Sequence, residues 1–121
     1  MERERGVIAF RFLKIKKAPP ELVKALDDSS DDVRSAAALV LGEIGDSKSA
    51  APLMTMAADA KLARGLRSGA IQALGHMRAA AAADLMEKLL ADRDVAANAA
   101  IALYRITGKK AQQFPEGYRA D

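Results

Sequence analysis

A twelve-residue pattern recurs along the chain. Residues 33–44 read VRSAAALVLGEI, and residues 66–77 read LRSGAIQALGHM at an offset of 33 positions. A third copy at residues 95–106, VAANAAIALYRI, keeps most of the apolar positions. In the first copy the apolar positions 33, 37, 40, 41 and 44 follow the spacing of one helical face. Each copy therefore predicts a helix that buries one side.

A shorter apolar segment precedes each copy, so the repeated unit is predicted to be a pair of helices. These segments are residues 22–26, 53–57 and 85–89. Residues 6–13 match residues 37–44 at an offset of 31 and predict a lone long helix at the start, which makes seven helices in all. We predict one domain over residues 1–121, made of a half-repeat, three full repeats and a tail. These parts are residues 1–17, then about 18–48, 49–78 and 79–108, and finally 109–121.

The composition favours an all-α fold. The chain has 27 alanines, no tryptophan, two tyrosines and three phenylalanines, and alanine favours helices over strands. Having no cysteine and one histidine, one chain cannot form a disulfide, a thiolate metal site or a two-histidine metal centre. No segment has the roughly 18 apolar residues of a membrane span, and no leader pattern opens the chain. We therefore expect a soluble, cytoplasmic protein with no membrane partner.

Turn residues predict where several helices begin and end. Ser29 and Ser30 follow the first short segment and are expected to cap the next helix with their side chains. Gly45 and Gly108 follow long helices, where a left-handed residue ends a helix well. Arg78 stands at that position in the second repeat. The junction after the second long helix is therefore predicted to be less well defined.

Two glycines inside predicted helices indicate close helix packing. Gly42 and Gly75 share one repeat position, and each costs about 1 kcal/mol relative to alanine. Close approach of an adjacent helix would offset that cost. The third copy has Tyr104 there, as expected of a last repeat that meets solvent or the tail. In the tail, Phe114 and Tyr118 either cover the last repeat or fray, and the two aromatic rings favour covering.

The predicted core is aliphatic. Leu41, Leu74 and Leu103 occupy equivalent buried positions in the three long helices. Four methionines at helical spacing are assigned to core packing in preference to a soft metal site. They are Met54, Met56, Met77 and Met86.

Four stretches of sequence carry a resemblance to a known family. They are residues 22–26, 31–34, 41–46 and 51–53. They resemble the HEAT-like repeats of phycobilisome lyases, which belong to the armadillo-type α-solenoids. The resemblance covers about residues 6–108 and implies a short right-handed α-solenoid whose second helices line a concave surface. It also implies that Asp32 and Arg34, with Arg67 in the second repeat, tie neighbouring repeats together, whereas Ala96 interrupts the pattern in the third.

The predicted working surface is a stripe across the long helices, at positions that lie opposite the core and recur at the repeat period. Its partner-binding residues are Leu39, Glu43, Gln72, His76, Ile101 and Arg105, with Ser35, Ser68 and Ala97 in the same register. Leu39 and Ile101 are apolar where water would favour polar residues. They are either anchors of an interface or buried by curvature between neighbouring helices. Arg105 is available for a carboxylate on a partner.

No catalytic, metal or cofactor site is predicted. His76 is the only histidine, and no acidic residue lies within one turn of it along the chain. A groove or surface histidine is therefore the favoured interpretation. The leading hypothesis is a non-enzymatic scaffold or accessory subunit that binds a protein partner through its concave face.

Two other function classes stay open, and both differ from a protein scaffold. Residues 1–17 hold six basic and two acidic groups, with Arg3, Lys14 and Lys17 near one helical face, so the N-terminal helix is a candidate nucleic-acid module. A lyase-type accessory enzyme that acts on a bound tetrapyrrole or similar ligand is the less favoured alternative.

The lone N-terminal helix is also expected to leave an apolar edge. The residues of that edge interface are Val7, Phe10 and Phe12. An end repeat of a solenoid usually needs a polar outer face for solubility. We therefore expect self-association or docking of a partner at this edge.

Overall fold

The computed structural model describes residues 16–108, and within that range every regular element is helical. The all-α prediction is confirmed there. Six α-helices follow one another: α1 Pro20–Lys24, α2 Asp31–Ile44, α3 Ala50–Ala58, α4 Arg64–His76, α5 Ala83–Leu89 and α6 Ala96–Thr107. Short 3-10 turns occupy Ala25–Asp27, Ser47–Ser49 and Ala80–Ala82. The predicted N-terminal helix, the edge residues Val7, Phe10 and Phe12, and the tail residues Phe114 and Tyr118 lie outside the described residues.

The helices form the two layers of a short α-solenoid. The long helices α2, α4 and α6 pack side by side in that order, and each also packs on the shorter helix that precedes it in the chain. The short helices α3 and α5 contact each other much less. Because no helix pair can cover its own apolar side, the core runs continuously between the layers.

The core matches the predicted apolar face. Leu41, Leu74 and Leu103 are all buried, which confirms their equivalence across the three repeats. Met56 and Met86 are buried in the same cluster, and Met54 and Met77 pack against it with part of their surface exposed. The prediction that the methionines serve in packing is therefore confirmed.

Backbone contact between long helices occurs at the two predicted glycines. A Cβ atom built on Gly42 would lie 2.8 Å from the Cα of Ala73, and one built on Gly75 would lie 3.0 Å from the Cα of Ala102. Both distances are shorter than real Cβ contacts normally allow. Tyr104, which has the equivalent position in α6, is 53% exposed. The close approach predicted from the glycines is confirmed, and it ends with the last repeat.

All three long helices end in a left-handed residue, including the one that lacks a glycine. Gly45 and Gly108 both have a φ of 73°, as predicted. Arg78 has a φ of 53°, and the Ala79 N–H donates to the Leu74 carbonyl at 3.1 Å. The expectation of a poorly defined junction was wrong, because the chain must reverse here to begin the next repeat. Arg78 therefore adopts a conformation that costs an L-residue about 1–2 kcal/mol.

Aspartates, and not serines, organise the turns between paired helices. Ser30 is the residue that precedes α2, but its side chain makes no capping hydrogen bond, so the predicted serine cap was wrong. The carboxylate of Asp28 instead accepts the N–H two residues later at 2.8 Å. Asp59 and Asp92 make the same turn in the next repeats, at 2.9 Å and 3.1 Å. Aspartate forms such turns readily because its side chain imitates a backbone carbonyl.

One buried arginine joins the second repeat to the third. The Arg67 side chain donates from Nε to the Ala57 carbonyl at 3.1 Å and from Nη2 to the Asp92 carboxylate at 2.8 Å. Arg67 is only 2% exposed. The hydrogen bond from Arg67, helped by the Asp94 N–H, lowers the pKa of the Asp92 carboxyl. The tie that the resemblance implied for Arg67 is therefore present, but its acid comes from the turn of the following repeat.

The corresponding tie in the first repeat differs from what the resemblance implied. Arg34 pairs with Asp31 at 3.5 Å on its own helix, and Asp32 is exposed. The buried Nε atom of Arg34 has no hydrogen-bond partner. The implied role of Asp32 with Arg34 in joining repeats was therefore wrong.

Asp46 holds the first described residues in place through hydrogen bonds. The Asp46 carboxylate accepts the Ala18 N–H at 2.9 Å and the Lys48 N–H at 3.1 Å. These two hydrogen bonds lower the pKa of Asp46, with that of Ala18 the larger cause. The segment before α1 is thus held against the turn between the first and second repeats.

Candidate functional site

Two depressions lie side by side on the exposed surface of the long helices. The first, of about 230 Å³, lies between α2 and α4, and the second, of about 160 Å³, lies between α4 and α6. Gln72 and Arg105 line both, so the two form one surface that we call the long-helix groove. Its floor is made by Gly42 with Ala73 and by Gly75 with Ala102, where the helix backbones touch. Small residues therefore set both the helix spacing and the shape of the groove.

The six predicted partner-binding residues all line the long-helix groove. The first depression is lined by five of them, Leu39, Glu43, Gln72, His76 and Arg105, together with Ser35. The second depression is lined by Gln72, Ile101 and Arg105. The repeat register thus brought together side chains from three helices. Their role in binding remains a prediction, because the geometry gives their position and not their occupant.

The apolar members of the groove are open to solvent. Leu39 is 49% exposed and Ile101 is 44% exposed, and with Tyr104 they are the exposed large apolar residues of the part that the structure describes. The alternative that curvature buries Leu39 and Ile101 between helices was therefore wrong. They stand on α2 and α6, on opposite sides of the central helix α4.

The charged members of the groove come from different helices. Arg105 belongs to the last turn of α6 and is exposed. Among residues 16–108, no carboxylate lies within ion-pair distance of its guanidinium. Glu43 on α2 and His76 on α4 line the first depression together. The repeat register predicted that these two residues would be neighbours, because positions 43 and 76 are one repeat apart.

The register missed Gly69 and Asn98 as well as the four floor residues, and it included two residues that lie outside the groove. Gly69 and Asn98 line the groove, whereas Ser68 and Ala97, one position earlier in each helix, do not. A spacing of three residues places Gly69 below Gln72 and Asn98 below Ile101 on one helical face. Gly69 and Asn98 are also 29 positions apart, which is the local repeat period. Ser68 and Ala97 have the same separation, so the repeat period by itself does not distinguish the two pairs, and the rotation of each helix decides which pair faces the groove.

Neither a metal-binding cluster nor a membrane-spanning helix is found in the part of the chain that the structure describes. Within residues 16–108 there is no group of three or more histidine, cysteine or acidic residues arranged to hold a metal ion. None of the helices described is both long and apolar enough to cross a membrane.

The family of the chain follows from its repeats. A family model described as HEAT repeats matches residues 3–65, which is more than half of the chain. The chain belongs to the HEAT-repeat family. A second model, described as PBS lyase HEAT-like repeat, matches residues 66–92 of this HEAT-repeat protein. A comparison with curated proteins finds no significant match. The resemblance inferred from the sequence is therefore confirmed, and HEAT repeats generally form helical scaffolds for protein interactions.

Proposed function

We propose that this HEAT-repeat protein is a non-enzymatic scaffold or accessory subunit that binds a protein partner in the long-helix groove. The observation that carries the proposal is the pair of exposed apolar side chains, Leu39 and Ile101, on either side of a groove with a backbone floor. Neither side chain completes the core. Exposing these side chains to water costs free energy in the unbound protein, and a partner that covers them recovers that free energy.

The energy available at the two apolar side chains is enough to matter. Full burial of a leucine or isoleucine side chain contributes about 1.5–3 kcal/mol. Leu39 and Ile101 are already about half buried, so a partner that covers both gains about 1.5–3 kcal/mol in total by the same measure. A rigid, preformed groove also limits the entropy lost on binding.

The packing of the layers supports the concave face as the binding face. The long helices touch at backbone distance at Gly42 and Gly75, whereas α3 and α5 in the other layer contact each other little. Closer spacing on one side of a stack favours curvature toward that side. The groove residues would then converge on the partner.

The test compares two variants with similar chemistry. Leu39→Ser with Ile101→Ser removes both groove anchors, and Tyr104→Ser removes an equally exposed apolar residue that does not line the groove. Partners captured by the full chain from its native source are identified, purified and titrated against each variant by calorimetry. We expect the double variant to bind at least about tenfold more weakly, and Tyr104→Ser to bind normally. Normal binding by the double variant would place the function on another surface.

A salt titration of the same complexes distinguishes the nucleic-acid alternative. Binding to phosphates weakens steeply as ionic strength rises, because counterions are released. Binding through Leu39 and Ile101 changes little with salt. A steep loss of affinity with salt, together with normal binding by the double variant, would favour the basic N-terminal segment as the working surface.

A further inference from the structure

We propose that the partner segment is an amphipathic α-helix that crosses the long helices and places an acidic side chain against Arg105. This inference rests on the proposed function and specifies the chemistry of its partner. It combines Arg105, which has no carboxylate within ion-pair distance among residues 16–108, with two apolar anchors on the outer helices of the groove.

Arg105 is positioned to receive a carboxylate. Its Cδ atom lies 3.7 Å from the Cβ position of Gly75, so the side chain runs over the junction of α4 and α6. It lines both depressions and has no carboxylate within ion-pair distance among residues 16–108. Gln72 and Asn98 line the second depression with it and offer further hydrogen bonds. An arginine beside neutral amides favours a carboxylate, which its planar guanidinium can bind through two hydrogen bonds.

The distance between the anchors favours a helical partner. Leu39 and Ile101 are separated by two helix-to-helix spacings, and neighbouring helices lie about 8–10 Å apart. Contact at Gly42 and Gly75 puts both spacings near the short end, so the anchors are about 16–18 Å apart. A helix rises about 1.5 Å per residue and covers this distance in about 11 residues, which returns to the same helical face. An extended strand covers it in about five residues, so its two contacting side chains point to opposite faces.

The spacing of Ile101 and Arg105 along α6 determines where the partner carries its acidic residue. Arg105 lies one helical turn after Ile101 on the same helix, and residues four apart on a helix are neighbours. The partner's acidic residue therefore lies within one turn of the apolar residue that covers Ile101.

A display library of single-helix peptides of about 18 residues, with randomised surface positions, tests the inference against the full chain. We expect selected peptides to carry two apolar residues about 11 positions apart and an aspartate or glutamate within one turn of the second. Arg105→Gln should weaken these peptides by about tenfold or more, which is typical for loss of a charged hydrogen-bond partner. Arg93→Gln, which changes an exposed arginine outside the groove, should have no effect. Arg105→Glu should restore binding to peptides whose acidic residue is changed to lysine.

The outcomes separate this inference from the proposed function. Peptides that need Leu39 and Ile101 but carry no acid and tolerate Arg105→Gln would overturn the inference and leave the groove as the binding site. Peptides that bind the double anchor variant and Arg105→Gln normally would overturn both. A selection that yields no helical binder would overturn the inference as well.

Discussion

Replacing Gly42 by alanine tests whether backbone contact between α2 and α4 sets the geometry of the solenoid. The new Cβ atom would lie 2.8 Å from the Cα and 2.9 Å from the Cβ of Ala73. Carbon atoms in proteins pack best at about 3.5–4.0 Å. The two helices would therefore have to separate by about 0.7–1.2 Å at this point.

The expected magnitude is a balance of two effects. Alanine in place of glycine inside a helix stabilises it by about 1 kcal/mol. Forcing an extra carbon into a packed interface costs about 1–3 kcal/mol, and both atoms in the way belong to or adjoin the backbone of α4, so neither can rotate aside. We expect Gly42→Ala to lower the free energy of unfolding by about 0–2 kcal/mol, the difference between these two effects.

Gly69→Ala is the matched control, because a Cβ atom there meets nothing within 4 Å. This variant should raise the free energy of unfolding by about 0.5–1 kcal/mol through helix propensity alone. Adding Ala73→Gly to Gly42→Ala removes the contact at 2.9 Å but leaves the one at 2.8 Å, so the stability should recover in part. Urea unfolding followed by circular dichroism measures all four proteins. If Gly42→Ala proves as stable as Gly69→Ala, the helices do not touch as described.

Three further perturbations have defined expected outcomes. Arg78→Gly should raise the free energy of unfolding by about 0.5–1 kcal/mol, since it relieves a left-handed arginine at some cost in chain entropy; thermal unfolding checks this, and Gly45→Ala should do the reverse. The lowered pKa of Asp92 means that its ionised form stabilises the fold above the unfolded pKa of about 4 and that this contribution is lost as pH falls below it. Urea unfolding between about pH 2 and 6 should therefore show a weaker acid dependence in Asp92→Asn than in the natural chain, and an unchanged slope would argue against its pairing with Arg67. Leu74→Ala should cost about 2–5 kcal/mol in chemical unfolding, and an unchanged midpoint would mean that the repeat register is wrong.

Local patterns predicted the elements of this fold well. The apolar spacing of residues 33–44 and its copies specified the long helices, because a helix buries one face whatever it packs against. Glycines at a shared repeat position indicated where neighbouring helices touch. The same register grouped the groove residues, since positions one repeat apart become neighbours in a stack.

Errors arose where the structure depends on partners distant in the chain. The arginine at position 78 adopts a left-handed conformation because helices on both sides require the reversal, which overrides its own preference. Arg67 finds its acid at Asp92, 25 positions away in another repeat's turn, so the family pattern at the start of the helix did not identify it. The groove position of Asn98 depends on the exact rotation of α6.

For residues 16–108, the amino-acid sequence by itself determined that the regular elements are helices, which leucines form the core and where long helices come closest. These properties follow from apolar periodicity and from residue size, which act over a few residues or one repeat. Only the tertiary structure decided that Leu39 and Ile101 stay exposed, that Asn98 lines the groove, and that Arg105 faces both halves of it. Exposure and neighbourhood across three helices depend on helix spacing and rotation, and these are set by packing the whole stack at once.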